Sequence, residues 1–138
     1  MGITLSFDQA VDLFKPYNKI FVCAHIMPDG DCLGSTLGLA WALRKMGKTV
    51  TVTCNDHVSN TFKYLEGFAE LAPKLPTDEE LLVFLDGSAA DRFGAAYDPQ
   101  KFNARPVLVI DHHVTNDLFA PLSYIDVRSA STAEIIYR

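Results

Sequence analysis

KIFVCAHIMPDGDCLGSTLGLAWALRKMGKTVTVTC, residues 19–54, decides the fold. Lys19 to Ala24 is a compact apolar run of strand type, and it delivers His25 and an acidic, glycine-containing segment at its C-terminal end. From Gly34 to Met46 the residues Leu37, Ala40, Trp41 and Leu43 recur at helical spacing, and Arg44, Lys45 and Gly47 make a cationic, glycine-stopped terminus. Thr49 to Cys54 is rich in β-branched residues and reads as a second strand. Strand, helix, strand at this spacing is a parallel crossover unit.

Working outward, the pattern repeats. Leu81-Leu-Val-Phe-Leu85 ends at Asp86, and Pro106-Val-Leu-Val-Ile110 ends at Asp111, so each is a buried strand with an acid at its C-terminal end. Ser6 to Gln9 has the form of a capping box before a short opening helix that Pro16 stops. Residues 58–71 read as helical and irregular by turns. Tyr124-Ile125 suggests a further short strand, and Ser129 or Ser131 can cap a helix over Thr132 to Tyr137. The expected fold is α/β: a doubly wound, mainly parallel sheet with helices on both faces, in one domain spanning residues 1–138.

Composition narrows the function classes. Hydrophobic residues at 49% and charged residues at 21% exclude a disordered chain. No apolar run reaches the roughly 18 residues of a membrane span and no signal segment opens the chain, so no membrane contact and a cytoplasmic location are expected. The net charge of -5 disfavours a broad basic surface for long duplex nucleic acid but leaves small anionic substrates open. The 3 cysteines, Cys23, Cys32 and Cys54, lack the spacing of a thiolate zinc site and read as buried free thiols. A homodimer is compatible with the sequence.

Three strands therefore end in acid or imidazole: His25 with Asp29 and Asp31, then Asp86, then Asp111-His112-His113. In a doubly wound sheet these ends gather at one crevice. Taken singly, each has a plain structural explanation, Asp29-Gly30-Asp31 as a turn and Asp86 as a helix cap. Adjacent imidazoles behind a buried strand, with an Asp beside them, fit a metal site better than a core. Asp and His without thiolate suit Mn²⁺, with Mg²⁺ or Co²⁺ as substitutes, and a pair of metals needs a bridging carboxylate, for which Asp86 is the natural choice.

His25-Ile-Met-Pro-Asp29-Gly-Asp31-Cys-Leu-Gly34-Ser35, Asp86-Gly-Ser88 and Asp111-His112-His113 together resemble the DHH phosphoesterases, from about Ile20 to Arg138. The resemblance implies His25, Asp29 and Asp86 as ligands of one Mn²⁺ and Asp31, Asp86 and His112 as ligands of the second. It implies Asp111 as the group that orients the histidines, and His113 as a contact to the substrate phosphate or an aid to the leaving oxygen. Catalytic roles thus fall to Asp86, Asp111 and His113. The family pattern carries one more Asp beyond the helix that begins near Ser131, and a separate C-terminal domain. The chain is therefore expected to be incomplete at its C-terminus and, as it stands, poorly active.

Ser129 to Glu134 after Asp126 resembles the nanoRNase/pAp phosphatase branch, whose substrates are short oligoribonucleotides and small nucleotide phosphates such as 3'-phosphoadenosine 5'-phosphate (pAp). Asp86-Gly-Ser88 departs mildly from the usual Asp-Thr-Ser or Asp-Ala-Ser. The alternatives are a pyrophosphatase or polyphosphatase, which would need clustered Lys and Arg at the cleft, a cyclic-dinucleotide phosphodiesterase, or a non-catalytic metal- or nucleotide-binding module.

Overall fold

A computed structural model describes residues 2–138. Six strands form one sheet: β1 (Ile3–Thr4), β2 (Lys19–Ala24), β3 (Thr49–Cys54), β4 (Leu81–Leu85), β5 (Val107–Asp111) and β6 (Leu122–Ile125), in the order β1-β6-β5-β4-β2-β3. Every pairing is parallel. Helix α2 (Gly30–Lys45) carries the chain outward from β2 to β3, and the chain then returns past β2 to β4. The winding reverses between β2 and β4, which is where sheets of this kind leave a crevice at the strands' C-terminal ends.

Alternation in the central strands sorts side chains onto two faces. Ile20, Val22, Val83, Leu85, Leu108 and Ile110 face the layer formed by α1 (Phe7–Phe14), α2 and α3 (Thr132–Tyr137), where Phe14, Leu37, Leu43 and Ile135 meet them. Phe21, Phe84, Val107 and Val109 face the other way. There the cover comes from 3₁₀ segments at Ala90–Ala96 and Pro99–Lys101 rather than from α-helices. Gly94 at φ 61 and Pro99 interrupt that connection, and aromatic rings supply the buried area instead: Phe84 lies 5.0 Å from Phe93 and 4.9 Å from Tyr97, centroid to centroid.

Other elements follow local chemistry. The Ser6–Gln9 capping box opens α1, and Gly47 at φ 86 lets the chain leave α2 behind Lys45. Residues 58–71 contain only two single-turn 3₁₀ segments, Asn60–Phe62 and Phe68–Glu70. Strand β1 had no sequence signal; two residues of backbone pair with β6 and extend the sheet edge. No described helix is long and apolar enough to cross a membrane.

Candidate metal and phosphoester site

Helix α2 begins at Gly30, four residues before its apolar pattern does, because the Asp29 carboxylate caps it: Oδ1 accepts from the Cys32 amide at 2.9 Å. Asp29-Gly30-Asp31 is thus a helix start rather than a free turn. This places Asp29 and Asp31 on the first turn, beside the loop that leaves β2 with His25. Met27, at φ 51 in that loop, is held by Asp56, whose Oδ2 accepts the Met27 amide at 2.7 Å. His25 itself is 3% exposed. Its Nδ1–H donates to the Ile26 carbonyl at 2.5 Å, leaving Nε2 as the free lone pair.

Asp86 follows β4 and is 3% exposed, with φ at 66, a conformation that costs a non-glycine residue roughly 1–3 kcal/mol and gathers at functional sites. It is not a helix cap. The next residue is glycine for a packing reason: a Cβ on Gly87 would lie 2.6 Å from the buried Phe93 ring. The departure from Asp-Thr-Ser or Asp-Ala-Ser therefore goes with the aromatic cover on that face.

The two oxygens of Asp86 look toward different partners. Oδ2 is 3.5 Å from His25 Nε2, which is 3.9 Å from Asp29 Oδ1. Oδ1 is 3.5 Å from His112 Nε2, which is also 3.5 Å from Asp31 Oδ2. Separations of 3.5 Å are long for hydrogen bonds between these atoms. They match donors sharing a divalent cation, since bonds of about 2.1 Å set neighbouring ligand atoms roughly 3–3.5 Å apart. No Lys or Arg makes an ion pair with Asp29, Asp31, Asp86 or Asp111 among the described residues, so the only basic side chains that the carboxylates of Asp29, Asp31 and the buried Asp86 meet within 4.0 Å are histidines. The donor set fits a metal on chemistry as well as on distance.

Electrostatics distinguish the acids. Burial pushes the Asp86 carboxyl above its ordinary pKa, with hydrogen bonds from His25 and Thr132 only partly opposing it. Burial also works on Asp31, but the amides of Ala133 at 2.8 Å and Thr132 at 3.1 Å outweigh it and hold its pKa below normal. His25 is lowered by burial and raised more by Asp86 and the Ile26 carbonyl, for a net rise. Cys32 has its Sγ near both His25 and Asp86, but burial drives the thiol well above its usual pKa and Sγ accepts the His25 amide at 3.1 Å. It anchors the loop as a neutral thiol.

Asp111, fully buried, accepts from the His113 Nδ1–H at 2.6 Å and from the His112 amide at 2.8 Å through Oδ1, and from Asn116 Nδ2 at 2.9 Å through Oδ2. It thus grips the His113 ring and the His112 main chain rather than the His112 ring. His113 Nδ1 is 3.9 Å from Asp86 Oδ1. A cavity of about 340 Å³ opens over the cluster, lined by His25, Asp29, Asp86, Ser88, Arg92 and His113 among others.

Sequence reasoning missed Thr132, Asn116, Asp56 and Arg92. Thr132 is fully buried and its hydroxyl donates to Asp86 Oδ1 at 2.8 Å. Its sequence signal was the cap at Ser131, which announced a helix but not that helix's docking on Asp31 and Asp86. Asp56 and Asn116 lie in loops and Arg92 in the 3₁₀ segment Ala90–Ala96, none with a periodic pattern, so only tertiary contact reveals a role.

Comparison with known proteins bears on the family and the fold. The model of the DHH family, N-terminal domain, matches residues 19–138. A Thermus thermophilus protein named bifunctional oligoribonuclease and PAP phosphatase NrnA is 32% identical over 120 residues, covering 85% of this chain and 35% of its own length. A Mycoplasma pneumoniae protein of the same name is 31% identical over 136 residues, covering 94% of this chain and 41% of its own. The chain thus spans about two fifths of the length of the curated relatives it matches. Among solved structures, an exopolyphosphatase-related protein from Bacteroides fragilis shares the fold with a TM-score of 0.83 at 23% identity, over 96% of this chain and 42% of that one.

Proposed function

The chain belongs to the DHH family, and from that premise we propose that it is the metal-binding domain of a cytoplasmic Mn²⁺-dependent phosphoesterase acting on short oligoribonucleotides or small nucleotide phosphates such as pAp. The observation that carries this reading is Asp86, whose two oxygens each stand 3.5 Å from a different histidine. His25, Asp29 and Asp86 are assigned to one cation, and Asp31, Asp86 and His112 to a second. When bound, such cations supply positive charge to the phosphoryl oxygens and lower the pKa of an attacking water.

The chain's own groups do the rest. Asp86 aligns the two halves of the site, and Thr132 fixes its rotation through Oδ1. Asp111 accepts the Nδ1–H hydrogen bond of His113 and so orients the ring, which leaves Nε2 to hold or donate a proton at the substrate's leaving oxygen. Among the described residues the cavity wall has Arg92 as its one Arg or Lys, which suits a single phosphoryl group better than the chain of phosphates in a polyphosphate.

The test is Mn²⁺-dependent phosphate release from pAp and mononucleotide release from a short RNA, set against pyrophosphate. Because the chain as it stands is expected to be poorly active, the relative rates decide: faster turnover of the nucleotide substrates than of pyrophosphate is expected. Pyrophosphate as the preferred substrate, or nucleotide turnover unaffected by chelator, would overturn the reading.

A further inference from the structure

Arg92 differs from the other arginines that structure the molecule. Arg44 is paired with Glu70 at 2.6 Å, Arg138 with Asp126 at 2.9 Å, and Arg105 donates to the carbonyls of Thr77, Glu79, Lys101 and Phe102. Arg92 is half-buried and has no carboxylate partner within 4.0 Å among the described residues. Its one side-chain neighbour in hydrogen-bonding range is His25 Nδ1, 3.5 Å from Nη2. That nitrogen already donates its proton to Ile26, so it offers Arg92 no lone pair. The guanidinium donors are left unanswered at the wall of the cavity that Asp86 and His113 also line.

Its position is fixed independently of what its side chain binds. The Arg92 carbonyl accepts the Ile26 amide at 2.6 Å, and the next residue, Phe93, is fully buried in the aromatic layer. The guanidinium therefore stands on one nitrogen of the His25 ring while the other nitrogen, Nε2, faces Asp86 at 3.5 Å. A planar cation with free donors, one imidazole away from the shared carboxylate, is placed to take the non-bridging oxygens of an anion seated over the cluster.

We propose that Arg92 is a substrate-contact residue whose guanidinium hydrogen-bonds the phosphoryl group being cleaved. Ser88 lines the same wall. The proposal rests on the phosphoesterase reading for its substrate, but the binding of a bare phosphate does not depend on turnover.

The experiment titrates inorganic phosphate into the Mn²⁺-loaded protein by calorimetry, alongside Mn²⁺ affinity, thermal midpoint, and kcat and KM for pAp. Arg92→Gln should weaken phosphate binding about ten- to hundredfold, the range for losing a charge-assisted hydrogen bond. Mn²⁺ affinity should stay within about twofold, and Arg92→Lys should recover part of the loss because it keeps the charge but not the fork. If Arg92→Gln fails to fold, Arg92→Lys alone still decides through a partial loss of phosphate affinity at an unchanged Mn²⁺ affinity. Three results would overturn the proposal: no phosphate binding by the unaltered protein, equal phosphate affinity in the variants, or a parallel fall in Mn²⁺ and phosphate affinities, which would make Arg92 a positioning residue for His25. Phosphate binding that responds to Arg92 in a protein that prefers pyrophosphate to nucleotides would keep this inference and reject the nucleotide-phosphoesterase reading.

Discussion

The two sides of Asp86 are built by different means. On the His25 side, the loop between β2 and α2 supplies both remaining groups, His25 and Asp29, four residues apart, and the helix start fixes the carboxylate. On the His112 side, Asp31, His112 and Thr132 come from three distant stretches, and the amides of Thr132 and Ala133 hold Asp31 across more than a hundred residues of sequence. The first side needs only a crossover unit to exist. The second exists only once α3 docks against α2, so it depends on the completed sheet and should be the more easily disturbed.

The sharpest way to break that comparison is the group both sides share. Asp86→Ala should abolish Mn²⁺-dependent turnover by about a thousandfold or more and weaken both cation sites together, whereas His25→Ala should weaken mainly one. Calorimetric Mn²⁺ titration of the two variants decides; equal losses at both sites in each would show that the halves are not separable.

Next in size is the clamp from α3. Thr132→Ala removes the donor to Asp86 Oδ1 and should lower Mn²⁺ affinity on the His112 side about ten- to hundredfold, while Thr132→Ser restores most of it. A loss confined to the tighter of two sites, or no rescue by serine, would contradict the assignment of Thr132 to that half if His112→Ala affects the other site.

Strain in the turn after β4 should move both halves at once. Gly87→Ala sets a Cβ against the Phe93 ring and should cost about 1–3 kcal/mol of stability, with Phe93→Leu in the same chain recovering much of it. Urea midpoints of the single and double variants measure the coupling; strictly additive effects would mean that the contact is not what demands glycine.

The smallest expected effect concerns pH. Hydrogen bonds from Ser129 and Arg128, with help from Arg138, hold the Asp126 carboxyl below its ordinary pKa in the turn that leads to α3. A depressed carboxylate contributes stability that is fully present above the unfolded value of about 3.9 and is lost as pH falls through its folded value. In metal-free protein, the protection of the amides of residues 130–133, taken relative to their intrinsic exchange rates, should therefore fall on acidification below about pH 4, and Asp126→Asn should remove part of that pH dependence. An identical acid response in Asp126→Asn would place the sensitivity elsewhere.

Much of this architecture is legible in the chain itself, because buried parallel strands must be apolar throughout. Lys19–Ala24, Leu81–Leu85 and the run before Asp111 announce themselves in this way, and the residue that follows each is where function can sit. Helix α2 was readable from its apolar spacing but not its first turn, since Asp29 caps by hydrogen bonding rather than by hydrophobicity. The 3₁₀ cover over Phe84 gave no periodic signal, because its area comes from rings placed irregularly along a loop.

The sequence by itself determined which residue types stand at the strand ends, His25, Asp86, Asp111 and the paired histidines, because periodicity and charge are local properties of a chain. Only the tertiary structure decided which oxygen of Asp86 faces which imidazole, that Asp111 grips His113 and not the ring of His112, and that Thr132 and Arg92 belong at the site at all. Those relations are set by distances of a few ångströms between segments dozens of residues apart. They come from the register of parallel strands and the docking of α3 on α2, which no local pattern encodes.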